Sequence, residues 1–194
     1  MKKYITILIA LLLFSCNKTK EVTIIPYKDW DLRGVNFTNT EYFYQGQKVF
    51  KISIDKETKD FAVIIIPKIK LNYTGGNYRI SFIVKKGDIG NLMGLRIAGV
   101  PPKQTDIIFD LNNSGDFKSK KTEDLTKNEK IEITPLSDNW FRCSVETELD
   151  SSSISLIIGP TIGNRPIRIW ESLLDNNRSI DLFFIPESLT IKEL

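Results

Sequence analysis

Apolar residues return at every second position along most of this chain, and a polypeptide patterned that way has few folds open to it. In Tyr78-Arg79-Ile80-Ser81-Phe82-Ile83-Val84 the residues Tyr78, Ile80, Phe82 and Val84 share one parity. Phe50, Ile52 and Ile54 alternate with Lys51 and Ser53, Phe141, Cys143 and Val145 with Arg142 and Ser144, and Ile154, Leu156 and Ile158 with Ser155 and Ile157. Successive strand side chains point to opposite faces, so each segment predicts a strand with one buried face. The unbroken run from Phe61 to Ile66 predicts a strand covered on both faces. Further strands are expected at Val22–Ile25, Leu92–Ala98, Asp106–Leu111, Ile131–Ile133, Ile167–Trp170 and Ile180–Ile185, whereas no stretch carries a long helical stripe. Turn signals separate these segments at Gly75-Gly76-Asn77, Lys86-Gly87-Asp88, Asn112 to Asp116, Ser137-Asp138-Asn139 and Ser151 to Ser153. The fold class that follows is all-β, an antiparallel sandwich of about ten strands. The mixed-charge run Lys118–Lys130 reads as a solvated loop, and the stretch holding Tyr42 and Tyr44 also reads as loop-like.

The N-terminus carries a different signal. Met1-Lys2-Lys3 is a short basic segment, and Ile5–Phe14 is an almost unbroken apolar run. That run is too short to span a bilayer, which needs roughly 20 residues, and has the form of an export signal. It ends in Leu13-Phe14-Ser15-Cys16, which resembles a bacterial lipobox. The resemblance implies cleavage before Cys16 and acylation of Cys16 by palmitate-type chains, anchoring the protein in the bacterial cell envelope, facing the periplasm or the cell surface. Residues 1–15 are then a signal peptide, 16–21 a lipidated tether, and 22–194 a single sandwich domain. Removing 15 of 194 residues leaves enough chain for a sizeable core.

Composition excludes several kinds of chemistry. Histidine is absent, so neither a Ser-His-Asp nor a Cys-His nucleophile can be built, nor a histidine metal site. The formal charge of +3 includes Lys2 and Lys3; without them the balance is near neutral and gives no electrostatic case for nucleic acid. Cys143 is the second of two cysteines; with Cys16 acylated it has no partner and reads as a small buried hydrophobe. The carboxylate pairs Asp29/Asp31, Glu123/Asp124 and Glu146/Glu148 lie on loops or the polar faces of strands, and nothing in the sequence marks one for acid–base work.

Three stretches, in order, resemble the jelly-roll carbohydrate-binding-module superfamily, whose sandwich is galactose-binding-like. The first is Trp30, then Gly46-Gln47-Lys48-Val49-Phe50-Lys51-Ile52, then Asn77 to Lys86, similar to the family's early tryptophan and its Tyr-x-x-Ser-Phe-x-x-Lys strand. The second is Phe109-Asp110-Leu111 followed by Ile133 to Val145, where Asn139-Trp140-Phe141-Arg142-Cys143-Ser144 looks like a recurring Gly-Trp-Tyr-Arg-Cys-Ser strand start. The third, Ile167 to Leu174 followed by Phe184-Ile185-Pro186, resembles the closing Ile-Trp-Gly-Ala-Gln-Leu-Glu strand, with Glu171 and Leu173 in place of glycine and glutamine. The resemblance implies a jelly roll and a non-catalytic module that binds a poly- or oligosaccharide. It implies no cofactor beyond one structural calcium ion, to which no residue can be assigned.

Parity then selects the candidate ligand residues. Trp140 and Arg142 lie opposite Phe141, Cys143 and Val145; Arg168 and Trp170 lie opposite Ile167 and Ile169; Tyr42 and Tyr44 share a parity. An indole or phenol offers an apolar plane to the CH face of a sugar ring, and a guanidinium offers donors to its oxygens. Two other functions fit the same features: an assembly lipoprotein using the sandwich for protein contacts, and a polysaccharide lyase or hydrolase.

Overall fold

The computed structural model describes residues 19–54, 62–112, 117–122, 125–161 and 180–194. Among them are twelve strands: β1 (Asp31–Arg33), β2 (Val35–Tyr44), β3 (Gln47–Ile54), β4 (Val63–Lys70), β5 (Gly76–Lys86), β6 (Leu92–Ala98), β7 (Gln104–Asp110), β8 (Phe117–Thr122), β9 (Thr126–Pro135), β10 (Trp140–Leu149), β11 (Ser153–Pro160) and β12 (Asp181–Glu193). The helical elements among these residues are the 3-10 turns Tyr27–Asp29 and Ser137–Asn139.

The strands form two six-stranded sheets, ordered β1-β4-β11-β6-β7-β8 and β2-β3-β12-β5-β10-β9. Every pairing is antiparallel. From β3 to β6 the chain passes back and forth between the sheets, and it does so again from β10 to β12, in the manner of a jelly roll. The all-β sandwich expected from the alternation is therefore the fold observed.

One core fills the space between the sheets. Ile80, Phe82 and Val84 of β5, Phe141, Cys143 and Val145 of β10, and Leu182 and Phe184 of β12 meet Ile64, Ile66, Leu95, Ile97, Ile107, Phe109, Leu156 and Ile158 from the facing sheet. Phe82 and Phe109 meet edge to face across the layer, with centroids 5.6 Å apart. Full burial of side chains this size contributes roughly 1.5–3 kcal/mol each. Trp30 closes one side of the core, its indole N–H donating to the Ile25 carbonyl at 3.0 Å. Cys143 is fully buried, and burial pushes its thiol well above the ordinary cysteine value, which leaves it inert as a nucleophile.

Three expectations require correction. The Lys118–Lys130 run is not a loop: residues 117–122 form β8 at the edge of one sheet, and β9, from Thr126, edges the other. Charge placed on an edge strand opposes pairing with a second sheet, so hydrophilicity there marks an edge rather than a break. The stretch holding Tyr42 and Tyr44 is the end of β2, whose alternation is obscured by an irregularity between Asn39 and Phe43. Val22–Ile25 is not a strand; Glu21 makes a single bridge to Lys192 before the chain turns away. The segment Ile167–Trp170 lies outside the described residues, as does Cys16.

Candidate functional site

The outward face of the second sheet is a ladder that can be read from strand register. Thr134, Arg142, Ile83 and Ile185 form one row across β9, β10, β5 and β12; Glu132, Ser144, Ser81 and Thr190 form the next; Lys130, Glu146, Arg79 and Lys192 form a third. A fourth row, Trp140, Lys85, Phe183 and Lys51, runs across β10, β5, β12 and β3. Period-two alternation puts all of them opposite the core, as the sequence indicates for Trp140 and Arg142.

This face is not open throughout. A satellite apolar cluster of Tyr44, Val49, Ile83, Trp140 and Ile185, flanked by Leu136 and Phe183, covers part of it. The end of the β2–β3 hairpin brings Tyr44 over the sheet. Its turn is Gln45-Gly46, with φ of 50° and 78°, the pair of positive values that a two-residue type I′ hairpin demands. Tyr44 lies against Trp140 with ring centroids 4.8 Å apart, and its hydroxyl reaches the Ser137 hydroxyl at 3.1 Å. Trp140 is thus on the expected face but only 5% exposed, so a sugar ring cannot lie flat on it. Tyr44 is likewise buried, while Tyr42 is 71% exposed and Phe43 stands exposed beside it. Arg168 and Trp170 lie outside the described residues.

Two recesses flank the Tyr44–Trp140 pair. One, of about 500 Å³, is bounded by Tyr42, Tyr44, Trp140, Phe183, Lys85 and Asp138. The other, of about 530 Å³, is a polar trough over the hydroxyl row. Its floor carries Ser81, Ser144, Arg79 and Arg142; Gln45 and Gln47 form one wall, and Glu187 and Ser188 the other. Ser81 and Thr190 share a hydrogen bond at 3.0 Å. Arg79 is held by Glu146, and Glu132 by Lys130 at 2.9 Å. The Lys130 hydrogen bond, then its charge, lowers the Glu132 carboxyl below its ordinary value. Arg142 has Thr134 and Ile83 as cross-strand neighbours and no ion pair among the described residues, so its donors face the trough.

Both walls arise from irregularities in the ladder that a hydroxyl bridges. On β12 the register against β5 jumps between Ile185 and Thr190. Ser188 spans the break: its Oγ accepts the Ile83 N–H at 2.8 Å and donates to the Ile185 carbonyl at 2.6 Å. On β2 the jump between Asn39 and Phe43 is spanned by Thr40, which donates to the Val49 carbonyl at 2.7 Å and accepts the Tyr42 N–H at 3.2 Å. Bulges that re-aim side chains are recurrent next to binding sites. The turn before β10 is special too: Asp138 and Asn139 have φ of 58° and 60°. Asparagine tolerates this left-handed backbone, which explains its place where the resembling motif has glycine.

Of the carboxylates the sequence pairs, three are each held by a cation. Asp31 is held by Arg33 at 2.7 Å, Glu146 by Arg79 and Glu148 by Lys127, and Glu123 and Asp124 lie outside the described residues. Among the described residues no group of three or more Cys, Asp or Glu could hold a metal ion. The trough walls were missed by sequence reasoning; Gln45-Gly46, Thr40 and Ser188 carry them, and only the Gly46 turn left a signal.

No protein-family model matches the chain, and no curated protein was found to be similar to it. Among solved structures it is similar to a Clostridium thermocellum chain, the CBM22-1 and GH10 modules of endo-1,4-beta-D-xylanase 10B complexed with xylohexaose, at 12% identity and a TM-score of 0.47. The match covers 90% of this chain and 28% of that one.

Proposed function

We propose that this protein is an envelope lipoprotein, acylated at Cys16, whose sandwich binds an oligo- or polysaccharide without turning it over. The observation that carries the reading is the polar trough on the outer face of the second sheet, with Arg142 on its floor and in no ion pair among the described residues, together with the exposed Tyr42 in the neighbouring recess across the Tyr44–Trp140 pair. A sugar presents hydroxyls at its rim and CH groups on its faces. Hydroxyl, amide and guanidinium groups suit the first, and an exposed phenol suits the second. Recognition is the simpler chemistry because the chain has no histidine and the Asp31, Glu146 and Glu148 carboxylates are each paired with a cation.

The test is a glycan-array screen of residues 19–194, followed by calorimetry on the best binder. Isolated modules of this kind bind at Kd of about 10 µM to 1 mM, or roughly −7 to −4 kcal/mol. Absence of heat with every oligosaccharide at millimolar concentration would overturn the glycan reading. One observation favours the alternative, an assembly lipoprotein that uses the sandwich for protein contacts: Phe43, exposed beside Tyr42, offers apolar surface with no polar group.

A further inference from the structure

We infer that the end of the sandwich nearest Cys16 is a lipid-facing surface, which seats the domain on the bilayer rather than letting it swing on its tether; the inference rests on the lipoprotein reading of Cys16. Backbone bonds fix where the tether leaves the domain. The Glu193 N–H donates to the Lys20 carbonyl at 2.9 Å, and the Val22 N–H to the Ile191 carbonyl at 2.8 Å. Only three residues separate Cys16 from Lys20, so the four steps between them reach about 14 Å at full extension. The acyl chains therefore cannot lie far from this end.

The same end gathers three connections. The loop after β4 is tied to it by Asn72, whose side-chain amide donates to Glu193 at 2.8 Å, and by the Gly75 N–H on the Leu149 carbonyl. The loop after β6 is joined through Lys103 and Asp150, 3.4 Å apart, and Asp150 itself bonds to Leu125. Leu194 bonds to Asn77. From these connections three apolar side chains stand in the open: Tyr73 at 61% exposure, Val100 at 70% and Leu194 at 52%, with Pro101 and Pro102 exposed beside Val100. The opposite end, at the Gly87–Gly90 turn, exposes Ile89, and Tyr42 and Phe43 stand exposed at a recess shared with Lys86 and Asp88, so it is the exit of the tether, not apolar exposure alone, that selects the end facing lipid. Two ion pairs stand at the tethered end, Lys103 with Asp150 and Lys127 with Glu148. Contact with lipid there is apolar and interfacial, with Tyr73 suited to the headgroup level.

Single-cysteine labelling of the full chain tests this, because Cys143 is buried and Cys16 carries its acyl group. Val100→Cys, Tyr73→Cys and, as the opposite-end control, Ile89→Cys are labelled with an environment-sensitive fluorophore. Each protein is then reconstituted in phosphatidylethanolamine–phosphatidylglycerol vesicles. Labels at 100 and 73 are expected to emit at shorter wavelength and to be quenched by nitroxide-bearing acyl chains, with the label at 89 unaffected. Mass spectrometry of the same samples reports Cys16. An unacylated Cys16 overturns the lipoprotein reading and this inference with it. An acylated Cys16 with all three labels in water overturns this inference alone and leaves the anchor standing.

Discussion

Tyr44 and Trp140 belong to opposite parts of their sheet, yet their rings lie 4.8 Å apart at 32°. Two strands, β12 and β5, separate β3 from β10 in the sheet order, so the hairpin end must arch over both to make the contact. The pair acts as a partition, with an aromatic recess on one side and a hydroxyl-lined trough on the other.

Trp140→Ala should therefore act on stability. Truncating a buried large aromatic costs about 3–5 kcal/mol, and the lower end applies here because the satellite cluster is small and lies outside the main core. Tyr44→Phe, which removes only the hydroxyl contact with Ser137, should cost about 0.5–1.5 kcal/mol. Denaturant unfolding monitored by tryptophan emission checks both; a Trp140→Ala variant as stable as the parent would mean that the partition is not a packed element.

Tyr42→Ala should leave stability unchanged and weaken binding of the array-selected glycan about ten-fold, since stacking on one exposed ring supplies about 1–2 kcal/mol. Arg142→Ala should weaken binding to a similar degree, given that hydrogen bonds to a charged donor contribute about 1.5–3 kcal/mol. Calorimetry at matched concentrations decides it, and full affinity in both variants places the sugar elsewhere.

Ser188→Ala deprives the Ile83 N–H of its partner in a half-buried wall. The expected destabilisation is about 1–3 kcal/mol, the cost of leaving a buried donor unmet. Hydrogen exchange at the Ile83 amide should speed up more than at Phe82 or Val84; uniform change along β5 would contradict the bridging role.

Asp181 gives the fold an acid limit. Burial pushes its carboxyl up, but the Lys51 hydrogen bond at 2.6 Å, backbone N–H groups of Ile89 and Asp88, and the Lys51 charge together hold it below its ordinary value. A lowered folded-state value means the contribution is complete above the ordinary aspartate value and is lost as pH falls through the folded-state one. Thermal melts of Asp181→Asn should thus lie below the parent at neutral pH and converge with it in acid. Gly87→Ala should also destabilise, by about 1–3 kcal/mol, since a Cβ there would overlap the Asp181 carboxylate and carbonyl.

The frame of the domain was open to reading because burial on one face writes itself into the sequence at period two. Phe82 and Cys143 can be assigned to the core from parity alone, and Arg142 to the far face by the same rule. Parity says nothing of what lies over an outward residue. Trp140 is outward and still covered, because Tyr44 reaches it from a distant strand through a turn whose sweep no local pattern encodes. The bulges at Thr40 and Ser188 shift the phase of alternation by side-chain bonds to backbone, so β2 reads as irregular chain although it is a ten-residue strand.

The two hydroxyl bridges have an evolutionary corollary. Because Thr40 and Ser188 reconnect the ladder at each irregularity while Leu189 stays in the core, it is the exposed Glu41 and Glu187 within those segments that carry no register contact. Glu41 and Glu187 can be exchanged, or their segments lengthened, without altering the register of the strands beneath. The depth and chemistry of the trough can consequently drift between lineages while the sandwich stays constant, which makes these two short segments the natural places to redirect its specificity by design.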